Sequence, residues 1–156
     1  MKSIVKNLTT LLIVVISFTS AEFVNANVST ADSLGSLTAS EQKAQDERME
    51  KVFLYGLDSE VDGVLESTFF NVISYKALNP EFDSQSVNEA MIDIALNGNS
   101  HVVRYKAYLA LSYMKKQDLF ADDSQKLVGY IQDNDSTSTF QVLVDNLQNN
   151  QVAENQ

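Results

Sequence analysis

Residues 99–114, NSHVVRYKAYLALSYM, carry the densest apolar pattern of the chain. Val103, Ala107, Ala110 and Met114 recur at i, i+4, i+7 and i+11, with Leu111 extending the row. Val102, Tyr105 and Leu109 form a second row beside the first. This is the 3.6-residue period of a helix that is apolar over most of its girth. A helix of that kind needs cover on more than one side, so at least two neighbouring helices are expected.

The same period marks five further helices. The first runs over 38–57 behind a Thr38-Ala39-Ser40-Glu41 capping box, with Met49, Val52, Phe53 and Leu57 inward. The second follows an Asp58-Ser59-Glu60 turn, covers 61–78 and ends at Asn79-Pro80. Its inward residues are Val61, Leu65, Thr68, Phe69, Val72 and Ile73, and the Phe69-Phe70 pair is expected in the core. Ser86-Val87-Asn88-Glu89 reads as a capping box for a third helix to Leu96, with Val87, Met91, Ile94 and Ala95 buried. Gly98 then fits a left-handed helix end, and Asn99 or Ser100 caps the fourth helix, which runs to about Gln117. Asp122-Asp123-Ser124 caps a fifth helix, 125–132, with Leu127, Val128 and Ile131 inward. Ser138-Thr139-Phe140-Gln141 opens a sixth, carrying Phe140, Leu143, Val144 and Leu147, and residues 150–156 read as a disordered tail.

Six helices make three pairs. Val64, Thr68 and Val72 align with Val103, Ala107 and Leu111 at a shift of 39, as Val52, Phe53 and Leu57 do with Met91, Ile92 and Leu96. A shift of 37 aligns Met91, Ile94, Val103 and Ala107 with Val128, Ile131, Phe140 and Val144. Such a period suits two-helix solenoid repeats. Residues 97–111 resemble the second helix of a HEAT-type repeat: Asn97 and Asn99 in the turn, then Val103-Arg104-Tyr105-Lys106-Ala107, then Leu111. The resemblance extends loosely over 45–148, with Asn where the family has a turn Asp and no matching Arg in the other two units. It implies an all-α protein, an α-α superhelix of about three antiparallel helix pairs at 38–149, whose surface binds proteins without catalysis of its own.

The N-terminal segment is different in kind. Lys2 and Lys6 precede an eleven-residue apolar run, 8–18, and a polar stretch ending at Val24-Asn25-Ala26. This is the form of a cleavable secretory signal, cut after Ala26 or, as the alternative, after Ala21. Eleven apolar residues fall short of the roughly 20 of a membrane span. Residues 27–37 are small and polar, a flexible linker. With no cysteine in 156 residues, disulfides and thiolate chemistry are excluded, and export to a bacterial periplasm or the exterior is expected. The formal charge of −10 disfavours nucleic acid as a partner. No stable membrane insertion is expected once the signal is removed.

No motif assembles an active site. His101 is the only histidine, and it stands in the first turn of a helix without a nucleophile elbow elsewhere. Asp133-Asn134-Asp135 begins like a calcium loop, but Ser138 and Val144 stand where Gly and a bidentate Glu are required. Neither cofactor nor metal is expected. The one surface feature is a basic, aromatic stripe on the fourth helix: His101, Arg104, Tyr108, Ser112 and Lys115. Arg and Tyr are favoured at binding hot spots, so this stripe is the candidate contact for an acidic or aromatic partner, against the plainer reading of a solvated face. The expected function is an exported, non-catalytic module that binds or scaffolds another protein. The alternatives are a self-assembling structural oligomer and an enzyme using a carboxylate site around Glu66.

Overall fold

A computed structural model describes the backbone of residues 38–154 and the side chains of 38–150. The expected signal segment and linker lie outside the described residues. Six α-helices follow one another: α1 (Ala39–Leu57), α2 (Asp62–Leu78), α3 (Gln85–Asn97), α4 (His101–Lys115), α5 (Ser124–Gln132) and α6 (Ser136–Glu154). A 3-10 segment, Gln117–Asp123, joins α4 to α5. The described residues are all helical, with no strand among them.

Local chemistry explains most ends. The Thr38 capping box forms, with the Glu41 amide donating to Thr38 Oγ1 at 3.3 Å and the Thr38 amide to Glu41 Oε2 at 2.9 Å. Asn79 follows α2 as its cap, because the residue before Pro80 avoids helical geometry. Ser84, not Ser86, caps α3: its buried hydroxyl accepts from the Val87 amide at 3.2 Å. Ser100 caps α4, accepting from the Val103 amide at 3.1 Å. Val61 sits at the head of α2 without a side-chain cap. Asp123 also makes no cap; its carboxylate takes the Asn146 amide at 2.8 Å instead. Asp135 caps α6, so that helix begins two residues before Ser138 and continues to Glu154, past the expected tail boundary.

Gly98 is not left-handed: φ is −57° and ψ 149°. It is glycine for want of room, since a Cβ there would lie 2.6 Å from the Ile94 carbonyl oxygen. The left-handed residue is Asn134, at φ 55° in the α5–α6 turn.

The hairpins pack around α2 and α4. α1 lies against α2 and α3, α3 against α4, and α4 against α2 and α6. α5 packs on α2 and not on α3, so the third hairpin also touches the first. A one-dimensional stack would contact only its neighbours. The core unites Phe53, Leu65, Phe69, Phe70, Val72 and Ile73 with Met91, Val103, Ala107, Leu109, Ala110, Leu127 and Leu143. Close approach is built in at Gly56, where an added Cβ would come within 2.3 Å of Thr68 Oγ1.

The expected 39-residue alignment does not match the burial pattern. A shift of 39 sets buried Phe53 and Leu57 opposite exposed Ile92 and Leu96. A shift of 38 sets Phe53, Leu65, Phe69 and Val72 opposite Met91, Val103, Ala107 and Ala110, all buried. For the third unit, 36 matches Met91, Val103, Ala107 and Ala110 to Leu127, Thr139, Leu143 and Asn146, again all buried. One residue rotates a helix face by about 100°, so exposed apolar residues had drawn the alignment off the core.

Candidate functional site

The covered row of α4 behaves as expected: Val103, Ala107 and Ala110 are inaccessible and Met114 is buried. The second row does not. Leu109 is buried, but Val102 is 54% and Tyr105 47% exposed. Tyr108 is similarly exposed, and its ring stacks on that of Tyr105 at 6.5 Å between centroids. The helix therefore has an apolar solvent face.

That face is one wall of an open groove of about 450 Å³ between α4 and α6. α4 supplies His101, Val102, Tyr105, Lys106 and Leu109; α6 supplies Thr137, Phe140, Gln141 and Val144. Val102, Tyr105 and Leu109 stand at i, i+3 and i+7, as do Thr137, Phe140 and Val144, so two ridges face each other over two turns. No carboxylate lines this groove. Lys106 is held in place at the groove: Nζ donates to Glu66 Oε2 at 2.6 Å and sits 4.9 Å from the centre of the Phe140 ring. A half-buried ammonium tolerates that place because it meets both an opposite charge and a ring face. Lys106 also lines a second, polar depression of about 280 Å³ beside Glu66, Ser67 and Asn71.

The five stripe residues divide. His101 lies on the groove and Tyr108 stands on its margin through the Tyr105 stack. Arg104 turns away: Nη1 donates to the Gly98 carbonyl at 2.6 Å, closing the α3–α4 turn. Ser112 donates to the Tyr108 carbonyl at 2.8 Å, within its own helix. Lys115 pairs with Asp83 at 3.3 Å, with both side chains largely in water. Periodicity placed these side chains on one stripe; the turn carbonyl and Asp83 decide what two of them do. Val102 and Tyr105 fall in an apolar row and so read as core, and Lys106 carries no periodic signal of its own. The available signal is the surplus of apolar girth over what two neighbouring helices cover.

Four other titratable groups make contacts that tie elements of the fold together. Glu66 is held by Lys106. Asp83 is held below the usual carboxylate range, chiefly by the Asn88 amide and secondarily by Lys115. Burial pushes the Tyr75 hydroxyl up to about 12, aided by its hydrogen bond to Asp46 and that carboxylate's charge. Lys76, buried, donates to the carbonyls of Pro80 and Phe82 and so anchors the α2–α3 connection. Among the described residues no three His, Asp or Glu gather as a metal site would require. No described helix is long and apolar enough to cross a membrane.

The class these features define is an all-helical protein of packed helical hairpins with an apolar surface groove. No family model matches the chain, and no similar curated protein or solved structure was found.

Proposed function

We propose that this chain is an exported, non-catalytic module that binds another protein through the groove between α4 and α6. One observation carries the reading: Val102, Tyr105 and Tyr108, apolar or aromatic and each about half exposed, are ranged beside an open groove of about 450 Å³. Aromatic anchors facing a pre-formed depression are the makings of a binding hot spot. Export rests on the basic start, the apolar run and Ala26. The likeness to HEAT-type repeats supports the same reading, as a compact variant in which the third hairpin folds back on α2.

Self-assembly by end-to-end stacking has less support. Every exposed large apolar side chain of the described residues lies between Val52 and Tyr108. The exposed residues of the third hairpin, such as Gln125, Lys126, Gln141, Asp145 and Gln148, are polar, as befits a terminal repeat that faces water.

The test is a photo-crosslinking residue placed at Tyr105 in the producing cell, with a second chain carrying it at exposed Gln148. A discrete adduct from position 105, absent from 148, is expected. Identical adducts from both positions, or none from 105, would remove the reading. Fractionation of the same cells reports export directly.

A further inference from the structure

We propose that the occupant of the α4–α6 groove is an amphipathic helix of a partner protein, with carboxylates flanking its apolar row. The proposal rests on the binding reading above and adds the partner's chemistry. Three observations converge on it.

The first is shape. Two ridges at i, i+3 and i+7 leave a furrow of about two turns, roughly 10 Å at the helical rise, which matches the apolar row of a third helix laid between them. The second is openness. With Val102 and Tyr105 about half exposed, the furrow does not enclose a small molecule; a pocket for one buries most of the ligand's surface.

The third is charge. The chain as a whole is acidic at −10, yet α4 holds Arg104, Lys106 and Lys115 and no carboxylate. The groove lining is likewise free of carboxylates and includes His101 and Lys106. The Lys106 ammonium has three donors, and Glu66 takes one of them. The Lys106 side chain keeps 25% of its surface exposed, so a partner carboxylate at the groove can approach the ammonium alongside the Glu66 pair. A partner lysine finds no carboxylate in the groove lining. Electrostatic complementarity of this kind selects among helices of equal hydrophobicity.

The experiment uses the chain of residues 27–156 and two fluorescent 15-residue helical peptides. Both carry Leu at i, i+3 and i+7; one has Glu beside the row and the other has Lys at the same places. Fluorescence anisotropy at low salt should show the Glu peptide binding about threefold to fivefold more tightly, the scale of one exposed charge pair gained against one repulsion. Tyr105→Asp should abolish binding with helicity retained, and Lys106→Gln should erase most of the preference. Equal affinity, a preference for the Lys peptide, or no binding of either would overturn the proposal. Displacement of the Glu peptide by decanoate at a lower concentration than by unlabelled peptide would make the groove a small-amphiphile site. Light-scattering masses above monomer that Tyr105→Asp abolishes would make the occupant a second copy. Either result rejects the partner helix. An adduct from the crosslinker at position 105, found alongside failed peptide binding, would leave the protein-binding reading standing and the acidic helix rejected.

Discussion

Two apolar faces adjoin on α4: one is covered throughout, and the other is covered only at Leu109. Val103, Ala107 and Ala110 vanish beneath α2 and α3, whereas Val102, Tyr105 and Tyr108 remain about half in water. The residue types barely differ between Val102 and Val103; their azimuth does. Residues 107 and 110 are alanines, small enough for close helix approach on the covered side, while Tyr105 and Phe140 line the open groove on the other. Apolar periodicity thus reports what a helix is able to bury. How much it does bury depends on where its neighbours stop.

This contrast is sharpest when a carboxylate is placed on each row. Val103→Asp puts an unpartnered charge at an inaccessible site, and a loss of several kcal/mol is expected, enough to abolish cooperative unfolding in circular dichroism. Val102→Asp should change stability by less than about 0.5 kcal/mol and remove the crosslinked adduct. Equal destabilisation by the two would mean that the open row is covered after all.

The next largest effect is steric. Gly56→Ala adds a methyl where Thr68 Oγ1 already stands, for a loss of about 1–3 kcal/mol despite the better helix former. In a Thr68→Ala background the same change should cost much less, because the two closest atoms are gone and only the residue 68 Cβ, at 3.2 Å, still presses. Thermal melts of the four chains read the coupling.

Smaller still is the difference between the two cations of the stripe. Arg104→Met should cost about 1 kcal/mol, since the Gly98 carbonyl loses its donor. Lys115→Met should cost well under that, because exposed pairs contribute little. Chemical denaturation of the two variants separates a turn clamp from a solvated ion pair.

The aromatic end of the molecule supplies a pH prediction. Phe53, Tyr75 and Phe82 meet edge to face, and the Tyr75 hydroxyl donates to Asp46 at 2.7 Å. Its folded pKa, about 12, lies above the ordinary value of 10.0. A raised value means that folding favours the protonated phenol. The contribution is therefore complete below pH 10 and is lost as pH rises through about 12. Alkaline unfolding should steepen in that window, and Tyr75→Phe should flatten it.

The sequence made the six helices, the Asn79-Pro80 stop, the Thr38 box and the buried α4 row legible, because each depends on nearest neighbours or on a strong period. It hid what depends on distant contacts. Phe82 and Phe120 are buried from short connecting segments that no helical period reaches. Thr139 and Asn146 occupy core positions of α6, satisfied by the Asp135 carbonyl and by Asp123 and the Val142 carbonyl, so the hydropathy pattern passed over them. At the candidate site, His101 and Tyr108 were visible, while Arg104 and Lys115 are drawn to a carbonyl and a carboxylate that periodicity does not see.

The most direct measurement is tyrosine-selective modification of the free chain and of the chain crosslinked or captured with its partner, read residue by residue. Tyr55, Tyr105 and Tyr108 should react in the free chain, with buried Tyr75 and Tyr113 protected. On partner binding Tyr105 and Tyr108 should become protected while Tyr55 stays reactive. Protection of Tyr55 with Tyr105 still reactive would place the partner elsewhere and contradict the assignment of the α4–α6 groove.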